Sequence, residues 1–127
     1  MKKPVSKYDE MSDTLYVSFA AGETGTGIEL NEHILLRVNL EDRRAVGLTL
    51  FDYSVLAQPT EIGFRSLPLK GLEELLPDVR ELVVEIMLSS PVKDVLSLSA
   101  YVPSLIETIP ITSLRHSILD NRANLER

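Results

Sequence analysis

Two aspartates near the start of the chain, Asp9 and Asp13, have the residue type and spacing of a paired carboxylate site. Such a pair could transfer protons or bind a hard cation. The residues between them are polar and the flanking segments resemble strands, so turn chemistry is the simpler interpretation. Aspartate side chains in turns accept backbone N–H bonds, and we expect Asp13 or Ser12 to close the first hairpin.

The two histidines, His33 and His116, could bind a metal or act as a general base. Each would need at least one further ligand or partner, and no carboxylate or second histidine stands at a suitable spacing. We therefore predict no metal site and no cofactor, and we expect His33 to be exposed at the start of a strand. The chain has no cysteine, which excludes disulfides, zinc–thiolate sites and thiol catalysis.

Neither the glycine-rich stretch 22–27 (GETGTG) nor any serine has the spacing of a catalytic motif. A phosphate-binding loop precedes a helix, whereas residues 28–30 resemble a strand, so we interpret 22–27 as a hairpin loop. No serine lies in a G-x-S-x-G turn. The serines considered are Ser89, Ser90, Ser97, Ser99 and Ser104. We assign no catalytic residue, and the sequence favours a non-catalytic protein over an enzyme.

Two other groups of side chains could recognise a partner. Tyrosine is favoured where one end of the side chain is buried and the other is wet, so the tyrosines could line a pocket, an interface or the edge of the core. They are Tyr8, Tyr16, Tyr53 and Tyr101. Arg43 and Arg44 could bind an acidic partner, although a solvated turn is the simpler interpretation.

The first part of the chain, 5–57, has the alternating hydrophobic pattern of antiparallel strands. The clearest signal is the pair of runs at 34–40 and 46–50, which are joined by a polar turn and predict a hairpin. A run at 14–19 alternates in the same way. We predict an antiparallel β-meander of about four to six strands, whose apolar face must be covered by another element.

The second part, 58–127, is predicted to supply that cover within a single domain, 1–127. Residues 78–88 place apolar side chains at i, i+3, i+4, i+7 and i+8, which is the pattern of an amphipathic helix, and Pro77 suits its first turn. The predicted fold class is therefore α+β, with the meander packed against one main helix.

The remaining segments are expected to complete the same core. Residues 95–102 alternate as a strand, and Pro110 confines the short segment 108–111 to an edge or a strand end. Ser113 could cap a short C-terminal helix at 114–125, whose apolar stripe is narrow. Such a helix would form either a frayed end or an arm that docks on a partner.

The N-terminal part resembles a known bacterial family over about residues 5–57. Tyr8-Asp9, Asp13 and Leu15-Tyr16-Val17 are similar to the "YD…D.LYI" opening of the bacterial domain of unknown function 2283, and RAVGLTLF at 44–51 stands where that family has a "VVGIEIL"-like strand. Family members often have Asp-Gly in the last hairpin, where this chain has Asp42-Arg43. The resemblance implies no agreed activity. Because some members look like partners of small toxin-like proteins, it implies a binding or antitoxin-like role.

Composition narrows the classes of function. The chain has 127 residues and a formal net charge of −6, with 19 acidic and 13 scattered basic residues. Nucleic-acid binding requires clustered Lys or Arg, so it is disfavoured. No apolar run approaches the length of a membrane span, and no signal-peptide core follows the N-terminal lysines. We predict a cytoplasmic protein that does not enter the membrane.

The sequence favours a non-catalytic protein-interaction module, regulatory or antitoxin-like, over other classes. We predict a homodimer, because exposed strand edges and a thinly striped helix are surfaces that self-association hides. A protein partner is the second expectation. The alternative is a small-ligand-binding protein or an enzyme of unrecognised type, with a pocket between sheet and helix. Tyrosines and carboxylates such as Asp9 and Asp13 would line that pocket.

Overall fold

Two antiparallel sheets and one main helix make up the fold in a computed structural model, which describes residues 4–60, 63–64, 66–104 and 107–114. The larger sheet has five strands, β1 (Val5–Asp9), β2 (Thr14–Ser18), β3 (Thr26–Glu29), β4 (Ile34–Asn39) and β5 (Arg44–Phe51). A two-stranded ribbon follows, β6 (Pro59–Thr60) and β7 (Gly63–Phe64). The second sheet has three strands, β8 (Leu67–Pro68), β9 (Leu96–Ser104) and β10 (Glu107–Leu114). These elements confirm the predicted α+β class.

The strand order of the larger sheet is β1-β2-β5-β4-β3, which is not the order of a simple meander. Leu50 of β5 is opposite Leu15 of β2 on one side and opposite Ile34 of β4 on the other. The segment 22–27 therefore leads from β2 to the edge strand β3, which is not its neighbour, and the prediction of a hairpin loop there is wrong. A period-two pattern specifies which face of a strand is buried, but not which strands become neighbours.

One face of the larger sheet and one face of the main helix contribute to a single hydrophobic core. A short helix, α1 (Tyr53–Leu56), follows β5, and the main helix is α2 (Pro77–Met87). The prediction of a helix at 78–88 is confirmed to within one residue at each end. Its buried side chains are Leu82, Val83, Ile86 and Met87. Pro77 begins the helix, where its missing N–H would have had no partner within the helix in any case.

The C-terminal part of the described chain differs from the prediction. Ser113 and Leu114 belong to β10, so a helix capped by Ser113 and starting at Leu114 is wrong, and the rest of 114–125 lies outside the described residues. Pro110 is inside β10, which is the middle strand of its sheet and not an edge. The Pro110 carbonyl accepts a hydrogen bond from the Leu69 N–H at 2.9 Å. Because the nitrogen and the carbonyl of a strand residue point to the same side, the Pro110 nitrogen also faces the short strand β8, where the missing N–H costs the least hydrogen bonding.

The segment between β8 and α2 is fixed tightly against the edge of the larger sheet. It contains a 3₁₀ helix (Lys70–Glu74), and the Gly71 N–H donates to the Leu30 carbonyl at 2.8 Å. A Cβ on Gly71 would lie 1.8 Å from the Glu29 carbonyl oxygen, so only glycine fits there. Among the described residues, no helix is both long and apolar enough to cross a membrane.

Candidate interaction surface

Asp9 closes the turn between β1 and β2. Its Oδ1 accepts the backbone N–H of Met11 at 3.1 Å, and its Oδ2 accepts the hydroxyl of Ser12 at 2.9 Å. These are the contacts that the turn interpretation predicts for an aspartate at this position. Ser12 takes part in closing the hairpin, as expected, but Asp13 has a different role.

Asp13 holds the first turn of α1, the short helix that follows β5. Its Oδ1 accepts the Tyr8 hydroxyl at 2.7 Å and its Oδ2 accepts the Ser54 hydroxyl at 2.5 Å. The Ser54 N–H lies 3.2 Å from both carboxylate oxygens, and the Tyr53 N–H donates to the Asp13 carbonyl at 2.9 Å. The residue at the N-cap of α1, Asp52, makes no capping hydrogen bond with its side chain. Asp13 therefore supplies the cap from another part of the chain.

His33 is largely buried, so the expectation of an exposed histidine is wrong. Its side chain is 22% exposed, and its Nδ1 lies 3.2 Å from Oδ2 of Asp52 without a hydrogen bond between them. Antiparallel pairing of β4 with β5 brings the residue before one strand next to the residue after the other. The hairpin predicted at 34–40 and 46–50 already implies that His33 and Asp52 lie close together, although the two residues are far apart along the chain. His116 lies outside the described residues.

A groove of about 340 Å³ lies beside His33, between the loop before β4 and the segment 67–74. Asn31 links the two walls, because its Nδ2 donates to the Pro68 carbonyl at 3.1 Å and its Oδ1 accepts the His33 N–H at 2.7 Å. The polar side chains along the groove are Glu29, Asn31, Glu32, His33, Lys70 and Glu74. In the described part of the chain, no group of three His, Cys, Asp or Glu side chains is arranged to hold a metal ion.

The alternative prediction placed tyrosines and carboxylates in a pocket between sheet and helix. In the described residues Tyr8, Tyr16 and Asp9 meet instead in a shallow depression of about 840 Å³ along the β1 edge. The cleft beside α2, of about 340 Å³, is lined by other residues, including Arg43 and Arg44.

The two arginines at the β4–β5 turn are paired within the chain. Arg43 lies 3.0 Å from Glu85 of α2, and Arg44 contacts Glu23 and Asp42. The hydrogen bond with Glu23 raises the pKa of the Arg44 guanidinium above its ordinary value. Both arginine side chains are exposed to solvent, but each is already paired with an acidic residue of the same chain. They therefore offer no unpaired cation to an acidic binding partner.

Two of the serines considered in the sequence, Ser89 and Ser97, make hydrogen bonds within the local structure. Ser97 and Ser99 lie on one face of β9, as predicted, and the Ser97 hydroxyl is 2.8 Å from that of Ser113 across the β9–β10 pair. The Ser89 hydroxyl donates to the Glu85 carbonyl at the end of α2. The side chains of Ser104 and Tyr101 lie outside the described part.

The side of the larger sheet that faces away from the core, here called the outer face, carries Tyr16, Leu35, Arg37, Thr49 and Phe51, and Arg37 donates a hydrogen bond to the Thr49 hydroxyl at 3.4 Å. Tyr16 is opposite Thr49, Thr49 is opposite Leu35, and Phe51 is the diagonal neighbour of Tyr16. Tyr16 is 42% and Phe51 is 40% exposed, whereas Thr49 is buried among its neighbours. The other two described tyrosines, Tyr8 and Tyr53, instead pack together with ring centroids 5.7 Å apart.

The fold and these contacts define a small α+β protein in which polar clusters support the structure and one sheet face exposes aromatic side chains. Residues 6–54 match the family model described as Protein of unknown function (DUF2283), which confirms the resemblance of the N-terminal part. The matched segment ends at Ser54, so it contains Asp13 together with both side-chain partners. It spans less than half of the chain. No curated protein and no solved structure matches the chain.

Proposed function

We propose that this protein is a non-catalytic protein-interaction module that binds a protein partner through the outer face and that also self-associates. Regulatory and antitoxin-like roles are both forms of such a module. The observation that carries the proposal is the exposure of Tyr16 and Phe51, side by side on a sheet face that is otherwise packed closely enough to bury Thr49.

The distribution of charge on the outer face supports a protein partner. One row across the sheet contains Lys7, Tyr16, Thr49, Leu35 and Glu29 in that order. Its central residue, Thr49, is buried and accepts a hydrogen bond from Arg37, the residues on either side of Thr49 are aromatic and aliphatic, and the two ends of the row carry opposite charges. Aromatic residues and arginine are enriched in protein interfaces, where a polar rim excludes water and sets orientation. The expected partner is a protein that presents apolar side chains to this row.

The proposal is tested by co-purification from an extract of the native cells, using the tagged full-length chain and a Tyr16→Ser/Phe51→Ser double variant. Truncation of two central aromatic residues should reduce recovery of the partner at least about tenfold. Leu76→Ser is the matched control, because Leu76 is apolar and exposed but precedes α2, away from the outer face. Circular dichroism establishes that all three chains are folded.

Recovery of one partner by the wild type and by Leu76→Ser, but not by the double variant, would support the outer face as the binding surface. Equal recovery by all three chains would place the partner elsewhere. If no protein is retained by the wild type, the partner-binding part of the proposal fails.

A second candidate is binding of a small molecule in the groove beside His33. Carboxylates outnumber the single lysine there, so a small amine is the expected class of ligand. Thermal melting in the presence of a set of small amines tests it, with Glu29→Gln and Glu74→Gln as variants. A stabilising shift in the wild type that is absent in both variants would favour this function.

A further inference from the structure

The outer strand of the second sheet, β9, has an unusual edge. The sheet order is β8-β10-β9, so β10 occupies one side of β9, and no strand among the described residues pairs with the other side. β9 is nine residues long, and its sequence, LSLSAYVPS, contains no charged residue. A long uncharged edge is a template for pairing with another strand.

The other outer strands of the two sheets have the features that protect an edge. β1 carries Lys7 and Asp9, β3 has four residues and carries Glu29, and β8 has two residues and ends in Pro68. Charges, shortness and proline each discourage the addition of a further strand. Among the described outer strands of the two sheets, β9 therefore differs in being both long and uncharged.

The hydrogen-bonding pattern of β10 shows which backbone groups of β9 point to the open side. Pro110 directs its carbonyl to Leu69, the residue after β8, so the opposite residue, Ala100, does not exchange hydrogen bonds with Pro110. Because the direction of the backbone groups alternates along a strand, Leu98 and Leu96 also direct their N–H and C=O groups outward. Pro103 lies beyond this stretch of three outward residues.

We infer that β9 of a second copy of this chain pairs antiparallel with β9 at this edge, across a two-fold axis at Leu98. This inference deepens the self-association in the proposed function by naming its surface. Leu98 would be opposite itself, and Leu96 opposite Ala100 of the second copy, each pair exchanging two N–H···O bonds.

The lack of charge along β9 permits a second copy as the occupant. Each chain has a net charge of −6, so two copies repel each other wherever charged surfaces meet. The uncharged edge of β9 avoids that repulsion. Identical strands paired about a two-fold axis also satisfy each other's donors and acceptors without any further partner.

The test compares the dimer dissociation constants of Leu98→Pro and Leu98→Ala, measured by analytical ultracentrifugation of the full chain. Both variants lose the leucine side chain, but only proline removes the outward N–H, and no bond to β10 is lost in either. We expect Leu98→Pro to dimerise about tenfold to a hundredfold more weakly than Leu98→Ala.

Ser99→Lys is a second variant for the case in which Leu98→Pro does not fold. Ser99 is exposed on β9, so lysine there should be tolerated by the monomer and should weaken the dimer, whereas Ser99→Thr should not. A wild-type chain that is monomeric at high micromolar concentration would overturn both the inference and the self-association proposed above. A dimer that survives Leu98→Pro or Ser99→Lys unchanged would overturn the β9 surface alone and leave self-association in place.

Discussion

The hydroxyl of Ser54 donates a hydrogen bond to Oδ2 of Asp13 across 2.5 Å, although 41 residues separate the two along the chain. This bond joins the first hairpin to the helical turn that follows β5. Tyr8 reaches the other carboxylate oxygen. Three of the residues that carry the family resemblance, Tyr8, Asp9 and Asp13, thus make contacts that stabilise the fold of the matched segment.

Replacing Asp13 should destabilise the protein in a graded manner. Asp13→Asn keeps an acceptor and tolerates the left-handed backbone, φ 53°, but loses the charge, so we expect a loss of about 1–2 kcal/mol. Asp13→Ala loses every side-chain hydrogen bond. Alanine also has no polar side chain that could stabilise the left-handed backbone by a local hydrogen bond, so we expect a loss of about 3 kcal/mol or more. Urea unfolding measures both. Variants as stable as the wild type would show that the carboxylate contributes nothing.

Arg43→Gly should stabilise the protein relative to Arg43→Ala. Arg43 has φ 55°, in the region that favours glycine, and it occupies the place where family members often have glycine. Both variants lose the contact with Glu85, so their difference isolates the backbone strain, and we expect about 1 kcal/mol.

Glu85→Ala is the control for the ion pair itself. Both side chains of the pair are mostly exposed, so its contribution should be below about 1 kcal/mol. Chemical denaturation gives the three free energies of unfolding on one scale. A glycine variant no more stable than the alanine variant would contradict the assignment of strain to Arg43.

Gly71→Ala should cost much more stability than Gly22→Ala. A Cβ at position 71 would clash with the Glu29 carbonyl oxygen, and relieving that overlap requires movement of backbone, for which we expect about 3 kcal/mol. Gly22 has φ 79° but no neighbour within 4 Å of its added Cβ, so only the conformational cost of about 1 kcal/mol applies. Thermal and urea melts of the two variants distinguish steric from conformational cost.

Val83→Asp should prevent folding. Val83 is completely buried in the core that α2 shares with the larger sheet, and an unpaired carboxylate there costs several kcal/mol, which is comparable to the whole stability of a domain. Leu88→Asp, at the exposed end of the same helix, should remain folded. Far-ultraviolet circular dichroism separates the two outcomes. A folded Val83→Asp chain would contradict the position of α2.

The two sheets are proposed to unfold together as one domain. Buried residues from both sheets and from α2 belong to the same hydrophobic cluster, which supports a single cooperative transition. Differential scanning calorimetry should give a calorimetric enthalpy that equals the van't Hoff enthalpy. A calorimetric enthalpy well above the van't Hoff value, or two resolved transitions, would divide the chain into separate units.

Local hydrophobic periodicity predicted the elements that depend on local sequence. The hairpin at 34–40 and 46–50 appears as β4 and β5, and the helix at 78–88 appears as α2. In both cases the side chains that alternate or recur at helical spacing are the ones that enter the core, so burial reinforces the local preference.

Long-range contacts could not be predicted in the same way. Nothing in the pattern of β2 specifies β5 as its neighbour, and nothing near Asp13 points to Ser54 as its partner. At the C-terminal end, Ser113 has the chemistry of a helix cap, but pairing with Ser97 places it in a strand. Tertiary context overrides local preference at that position.

The central place of β5 has a consequence for synthesis of the chain. The first hairpin and the β3–β4 pair leave the ribosome before the strand that joins them, so the nascent chain cannot assemble the larger sheet until Phe51 has emerged. Until then both pairs expose the apolar face that later becomes the core. The assembled sheet still exposes that face until α2 has emerged, so a newly made chain stays open to chaperones and to aggregation until both β5 and α2 have been translated.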